Sequence, residues 1–193
     1  MSSLTVPATG AAAADHYLAD GFEKVVGMSS RFAAAICCRL LRLQTELGVS
    51  GHVVEVGAFE GRFLIALAHA LEPGERVVGM DVFTWPNEGV KDRFEANCTR
   101  HGIGPDRRVT WKVDSGTITA AQMQAKADGP IRLIHIDGEH TQAALTKDLE
   151  LATAAIAPGG LIVLDDMLHP GYPTLMVAVH AYLGGTRRWS CCA

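Results

Sequence analysis

Acidic and imidazole side chains are concentrated in one short segment, "IHIDGEH" at residues 134–140. Asp137, Glu139 and His140 fall within four positions there, at the point where an apolar run stops. Strand interiors avoid such groups because an unpaired buried charge is costly. The segment is therefore either a site that needs charge or an ordinary polar loop, and the rest of the chain must decide between the two.

Carboxylates follow the other apolar runs of the chain as well. Five short apolar runs alternate with segments whose apolar residues recur at helical spacing, which predicts five strands with helices between them. At least one acidic residue lies at the end of each predicted strand. These residues are Glu55, Asp81, Asp114, Asp137, Asp165 and Asp166. Because ligands bind at the carboxyl ends of the strands in such sheets, we expect the acids to form one rim around a ligand site.

The elements behind this rim predict a single Rossmann-like α/β domain over residues 1–193. Nearly continuous apolar strands such as "GLIVLDD" indicate a doubly wound, mostly parallel sheet with helices on both faces. The domain divides into an N-terminal tail and helix over residues 1–50, a core over 51–183 and a short tail over 184–193. Within the first part, residues 1–15, which are small and polar with a Pro and an Ala run, are expected to be flexible.

Composition and charge argue against several classes of partner. The chain has 193 residues, of which 48% are hydrophobic and 20% charged, and its net charge is −4. No run of Lys or Arg suggests contact with a nucleic-acid backbone, and no apolar run approaches the roughly 20 residues of a membrane helix. Five cysteines without a C-x-x-C spacing are typical of reduced thiols. We expect a cytoplasmic protein with neither a nucleic-acid nor a membrane partner.

The turn after the first predicted strand reads "EVGAFEG", from Glu55 to Gly61. Gly57 would permit a tight turn, and Gly61 would allow the backbone to approach a ligand closely. The G-x-G-x-x-G turn of dinucleotide sites and the P-loop lysine are both missing, which favours a nucleoside ligand without a pyrophosphate. Asp81, 26 positions after Glu55, suits the two hydroxyls of a ribose. Taken alone, the glycine pattern is equally compatible with a plain turn.

These motifs resemble those of class I S-adenosylmethionine-dependent methyltransferases. "VVEVGAFEGRF" is similar to their first motif and "VVGMD" to their second. The later stretch, from "IHIDGEH" through "APGG" to "LDD", is similar to a branch of small-molecule O-methyltransferases that includes sugar methyltransferases of natural-product pathways. The resemblance covers roughly residues 50–183. It implies transfer of a methyl group from S-adenosyl-L-methionine to a hydroxyl of a small molecule.

The resemblance also implies a role for each matching residue. The cofactor would be held by its methionine portion at Glu55, Gly57 and Gly61, by its ribose at Asp81, and near its adenine at Asp114 and Ser115, with Asp137 alongside. Metal-dependent members bind a divalent cation, Mg²⁺ or Mn²⁺, through positions that match Asp137, Asp165 and Asp166. The catalytic base of some relatives matches Glu139, and that of others matches His169.

A metal at this rim is also reasonable on physical grounds. Three carboxylates from two neighbouring strand ends repel one another unless a positive charge lies between them. Oxygen ligands suit Mg²⁺ or Mn²⁺, and a metal-bound hydroxyl loses its proton more easily. Structural alternatives stay open: Asp165 or Asp166 as a turn cap, Glu139 as a solvated loop acid, His169 as a loop residue, and His140 as the start of a helix.

One departure from the resembled family affects the end of the sheet. Class I methyltransferase sheets usually finish with two further strands, but only "GGTRRWSCCA" follows Leu183. We therefore expect these C-terminal strands to be shortened or missing, with an unprotected edge that favours association, including a homo-oligomer. Two alternative functions remain: a catalytically impaired module that binds S-adenosylmethionine or a partner, and an NAD(P)-dependent oxidoreductase, against which the missing dinucleotide turn argues.

Overall fold

The computed structural model describes residues 6–185 as alternating helices and parallel strands. The helices are α1 (Ala12–Asp20), α2 (Arg31–Glu46), α3 (Arg62–His69), α4 (Val90–Arg100), α5 (Ala120–Ala127), α6 (Gln142–Ala155) and α7 (Thr174–Gly185). The strands are β1 (His52–Val56), β2 (Val77–Asp81), β3 (Arg108–Lys112), β4 (Ile131–Ile136) and β5 (Leu161–Leu164). Two 3₁₀ turns cover Phe22–Lys24 and Ser115–Thr117.

The five strands form one parallel sheet in the order β3-β2-β1-β4-β5. The chain moves outward from β1 through β2 to β3 and then crosses back to place β4 on the other side of β1. The helices that follow β1 and β4, α3 and α6, pack on opposite faces of the sheet, so the connections after these strands separate and leave a crevice, which is the usual ligand position in a doubly wound sheet. The parallel α/β fold predicted from the sequence is confirmed.

Both faces of the sheet are covered by apolar side chains, as the continuous apolar strands predict. Val53 of β1 packs into a core formed with α1, α2 and α3, while its neighbour Val54 packs into a second core formed with α5 and α6. The same alternation continues in β4, where Leu133 joins the first core and Ile134 the second. This period of two also directs Glu55 and His135 toward the first core, near α3.

Side-chain caps set the starts of three helices. Ser30 accepts a hydrogen bond from Ala33 N at the start of α2, and Thr141 accepts one from Ala144 N at the start of α6. Thr119 and Gln122 form a reciprocal capping box at the start of α5. Such caps satisfy N–H groups that have no partner inside the helix, so they fix where each helix begins.

The two ends of the chain differ in part from the sequence-based expectations. Residues 12–15 lie in α1 and Ala14 is buried in the first core, which differs from the flexible segment expected over 1–15. At the other end, β5 is an edge strand of half-buried residues within the described range. The tail beyond Gly185 lies outside the described residues. No helix within residues 6–185 is both long and apolar enough to cross a membrane.

Candidate active site

A cavity of about 620 Å³ lies at the carboxyl ends of β1, β2, β3 and β4. Its size is in the range of small-molecule and cofactor sites. Seven of the residues predicted from the sequence line it: Glu55, Gly57, Asp81, Asp114, Ser115, Asp137 and Glu139. The structure therefore brings acids from four successive strand ends to one space. Met28 and Ser29 close one side of it, and Tyr172 borders another.

The first turn requires glycine at two positions for different structural reasons. Gly57 has a φ of +86°, and a Cβ built on it would overlap the backbone carbonyl of Asp137. Only glycine lets the end of β1 approach the end of β4 so closely. Gly61 has a φ of +89° and a Cβ there would lie 3.1 Å from the ring of Phe94. Gly61 thus allows α3 to approach α4, and it does not line the cavity.

Asp81 shapes the loop that encloses the cavity. Its Oδ2 accepts a hydrogen bond from Phe59 N at 2.8 Å, and its Oδ1 accepts one from Phe83 N at 2.6 Å. Phe59 and Phe83 both have positive φ angles, which residues other than glycine rarely adopt. The Asp81 carboxylate therefore stabilises two unusual backbone conformations. Each oxygen keeps a second lone pair for a ligand hydroxyl.

A buried histidine lies between two of the predicted acids. His135 Nδ1 is 2.9 Å from Glu55 Oε1, and His135 Nε2 is 3.7 Å from Asp165 Oδ2. Burial disfavours a charged ring, but the interactions with Asp165 and Glu55 outweigh this effect and raise the pKa of His135 to about 9. The contact with His135 holds the pKa of Asp165 below its usual value. His135 is therefore a buried histidine whose short polar contact is with Glu55.

Three other side chains form a group that could hold a metal ion. Ligand atoms of Asp137, His140 and Asp166 lie within 4.8 Å of one another. His140 Nε2 is 2.6 Å from Asp166 Oδ2 and 3.7 Å from Asp137 Oδ1. Burial, followed by the charge of Asp165, raises the pKa of Asp137 to about 8, and the nearby His135 opposes this rise. Asp165, the third predicted ligand, faces His135 instead.

The far end of the cavity is lined by the loop after β3. Asp114 accepts a hydrogen bond from Gly116 N at 2.8 Å and so starts the 3₁₀ turn at Ser115. Asp148, buried in the middle of α6, lies next to this turn. Burial raises the pKa of Asp148, and a hydrogen bond with Ser115 opposes that rise. Of the two residues predicted near the adenine, Ser115 is therefore bonded to a carboxylate that the sequence did not single out as a site residue.

The two predicted bases lie in different environments. Glu139 is exposed to solvent and lines the cavity. His169 is outside the cavity lining, with its ring stacked on Tyr172 at 4.7 Å and its Nδ1 accepting a hydrogen bond from Gly171 N. The opposite face of Tyr172 is occupied by the ring of His140, with ring centroids 4.4 Å apart. Tyr172 thus separates His169 from the Asp137–His140–Asp166 group.

Several residues that line the cavity were not predicted from the sequence. Met28 and Tyr172 reach the cavity from segments with no chemical motif, and tertiary packing alone brings them there, while Arg62 lies in the first motif but received no role from it. Trp85 is 62% exposed and packs against Phe59 at the cavity wall, whereas Phe83 is fully buried against Phe94. The two aromatic residues that follow Asp81 therefore lie in different environments, Trp85 at the cavity wall and Phe83 in the core.

The chain matches a known protein family. The model of the family described as "Methyltransferase domain" matches residues 54–167. No curated protein matches the chain in sequence.

Solved structures share the fold. An O-methyltransferase from Bacillus cereus, in complex with SAH, is 18% identical, with a TM-score of 0.65 over 93% of this chain and 79% of that one. A TDP-rhamnose 3′-O-methyltransferase of calicheamicin biosynthesis is 20% identical, with a TM-score of 0.61 over 88% of this chain and 77% of that one. TomG, an O-methyltransferase from Streptomyces achromogenes in complex with SAM, is 19% identical, with a TM-score of 0.55 over 93% and 78%.

Proposed function

Because this chain belongs to the methyltransferase domain family, we propose that it transfers a methyl group from S-adenosyl-L-methionine to a hydroxyl of a small molecule, assisted by a divalent cation. The observation that carries the proposal is the unpaired carboxylate oxygen of Glu55, a residue that lines the cavity. Glu55 Oε2 is buried without a hydrogen-bond partner among the described residues. A buried carboxylate oxygen requires a hydrogen-bond donor. The ammonium group in the amino-acid part of the cofactor is such a donor, and its charge is opposite to that of the carboxylate.

The rest of the cavity suits the remaining parts of that cofactor. Asp81 keeps lone pairs for the ribose hydroxyls, and Asp114 with Ser115 lines the end assigned to the adenine. The aromatic rings of Phe59 and Trp85 provide an apolar wall between these positions. S-adenosylmethionine, when bound, supplies a methyl group on a positively charged sulfur. The chain's own residues bind it, orient it and limit the access of water.

The Asp137–His140–Asp166 group suits a divalent cation. Two carboxylates and one imidazole are a mixed oxygen and nitrogen ligand set, which favours Mn²⁺ over Mg²⁺ because Mg²⁺ prefers oxygen ligands alone. A bound cation lowers the pKa of a substrate hydroxyl in contact with it. We assign the proton acceptor to Glu139 and not to His169, because Glu139 lines the cavity and His169 lies behind Tyr172.

Cofactor binding is the first test. Titration calorimetry of the folded protein with S-adenosylhomocysteine should give a saturable heat signal, and the same titration with NAD or NADP should give none. Absence of S-adenosylhomocysteine binding at high micromolar concentration would contradict the proposal. Cofactor binding without methyl transfer to any member of a broad panel of hydroxylated acceptors would favour the impaired binding module.

The metal and base assignments are tested by substitution. Asp137→Ala and Asp166→Ala should abolish stimulation of methyl transfer by Mn²⁺, and Asp165→Asn should keep Mn²⁺ binding because Asp165 faces His135. Equal loss of Mn²⁺ binding in all three variants would instead support the three-acid ligand set predicted from the sequence. Glu139→Gln should lower kcat by about 10²–10⁴-fold, the usual contribution of a general base, while the exposed Glu150→Gln on α6 serves as its control.

A further inference from the structure

The contact between β1 and β4 at the switch point of the sheet contains a residue that the proposed function does not yet use. We propose that His135 is a positioning residue that holds one oxygen of Glu55 and thereby presents the other to the ammonium group of the cofactor. His135 would then determine how strongly the protein distinguishes ligands that carry the amino-acid part from ligands that lack it. This inference rests on the proposed function.

Strand register places the two side chains opposite each other. Glu55 and His135 are direct Cα partners on the adjacent parallel strands, and they are 2% and 1% exposed. Their side chains meet at 2.9 Å through Glu55 Oε1 and His135 Nδ1. The imidazole also stacks on Phe63 of α3 with ring centroids 4.1 Å apart and an interplanar angle of 14°. Strand pairing and ring stacking together leave the imidazole little freedom to turn.

The opposite side of the imidazole faces another acceptor. Asp165 Oδ2 lies 3.7 Å from His135 Nε2, and Asp165 Oδ1 accepts a hydrogen bond from Asp166 N at 2.8 Å. At 3.7 Å this contact is longer than a hydrogen bond, so the short polar contact of the ring is the one with Glu55 Oε1, where the carboxylate accepts and the imidazole donates. The ring therefore fixes the orientation of a carboxyl group that is almost completely buried.

Loss of this hydrogen bond would change the chemistry of Glu55. Burial raises the pKa of the Glu55 carboxyl, and the hydrogen bond from His135 opposes that rise. Without the ring, Glu55 would be a buried acid that favours its neutral form. A neutral carboxyl forms a weaker hydrogen bond with an ammonium group than a carboxylate does. Affinity for the amino-acid part should therefore fall, while affinity for the nucleoside part, which Asp81 would hold, should not.

The test compares two ligands in calorimetry: S-adenosylhomocysteine and 5′-methylthioadenosine, which lacks the amino-acid part. His135→Phe keeps a ring to stack on Phe63 and removes both donors. It should raise the Kd of S-adenosylhomocysteine by about tenfold or more and that of 5′-methylthioadenosine by less than about twofold. His135→Asn, which restores one donor near Glu55, should give an intermediate ratio. Ile134→Val, on the same strand but in the other core, controls for lost packing.

A double-mutant cycle keeps the test decisive if His135→Phe fails to fold. In a Glu55→Gln background, His135→Asn should change the ratio of the two Kd values by less than about twofold, because the carboxylate that His135 holds is already gone. Equal loss of affinity for both ligands in the histidine variants, or full additivity in the cycle, would overturn the inference and leave the proposed function standing. Failure of the unmodified protein to bind either ligand would overturn the proposed function itself.

Discussion

Substitution of Gly57 by alanine tests the close approach of β1 to β4 on which the cavity depends. Gly57 has a φ of +86°, and the new Cβ would lie 2.6 Å from the carbonyl carbon of Asp137 and 3.0 Å from Gly138 Cα. These neighbours are backbone atoms, so no side-chain rotation can relieve the overlap. One of the two strand ends must move, and the Glu55 and Asp137 side chains would move with it.

The expected cost has two parts. A residue other than glycine in the left-handed region costs roughly 1–2 kcal/mol, and forced overpacking adds about 1–3 kcal/mol. The sum of about 2–5 kcal/mol is a large part of the ~5–15 kcal/mol by which domains are usually stable. Gly74 offers a matched control, because it has a φ of +90° and nothing within 4 Å of an added Cβ. Gly74→Ala should therefore show the first cost alone.

Urea unfolding followed by circular dichroism measures both variants against the unmodified protein. We expect Gly57→Ala to lose about 1–3 kcal/mol more of the free energy of unfolding than Gly74→Ala, because overpacking affects only the first site. Gly57→Ala should also lose affinity for S-adenosylhomocysteine, since the positions of Glu55 and Asp137 change together. Equal destabilisation by the two substitutions would refute the reasoning, because it would mean that the strand ends separate without cost.

Two further predictions concern stability away from the cavity. Arg132 is fully buried and pairs with Glu75, while its other nitrogens donate to the carbonyls of Leu41, Val49 and Gly51. Arg132→Met should lower the free energy of unfolding by about 3–5 kcal/mol, because it leaves Glu75 buried without its partner. The control Glu88→Gln breaks the exposed pair with Lys112 and should change the free energy of unfolding by at most about 1 kcal/mol. Similar values for the two variants would contradict the stabilising role of the buried pair. Burial, and then the charge of Arg107, lower the pKa of His69 from 6.5 to about 4. The unfolded chain therefore binds a proton between pH 6.5 and about 4 that the folded protein does not, so stability falls as the pH falls through this window. His69→Gln should make the pH dependence of the unfolding free energy shallower there, and an unchanged slope would show that His69 does not contribute.

The alternation of apolar strands with helical segments determined the fold class before any coordinates. Continuous apolar strands require cover on both faces, and the two cores on either side of the sheet provide it. The resemblance of the first turn and of the later segment to methyltransferase motifs is confirmed by the family match over residues 54–167. The sequence also predicted that acids after successive strands would share one edge, because parallel strands all end on the same side.

Side-chain partners depended on tertiary structure. The sequence offers Asp165 and Asp166 as equivalent neighbours, but consecutive residues at a strand end point in different directions. Asp165 therefore faces His135, and Asp166 meets His140 instead. His140 looked like the start of a helix in the sequence, and only its distance to Asp137 and Asp166 groups it with them.

The sequence by itself determined which residue types reach the rim of the sheet, since strand period and direction are local properties of the chain. Only the tertiary structure decided which of those residues touch. Contacts such as Glu55 with His135 join positions 80 residues apart, and their geometry depends on the order of the strands and on their register. A sequence pattern specifies which face of each strand is buried but not which strands become neighbours, because the pairing of strands far apart in the chain depends on how the whole chain folds.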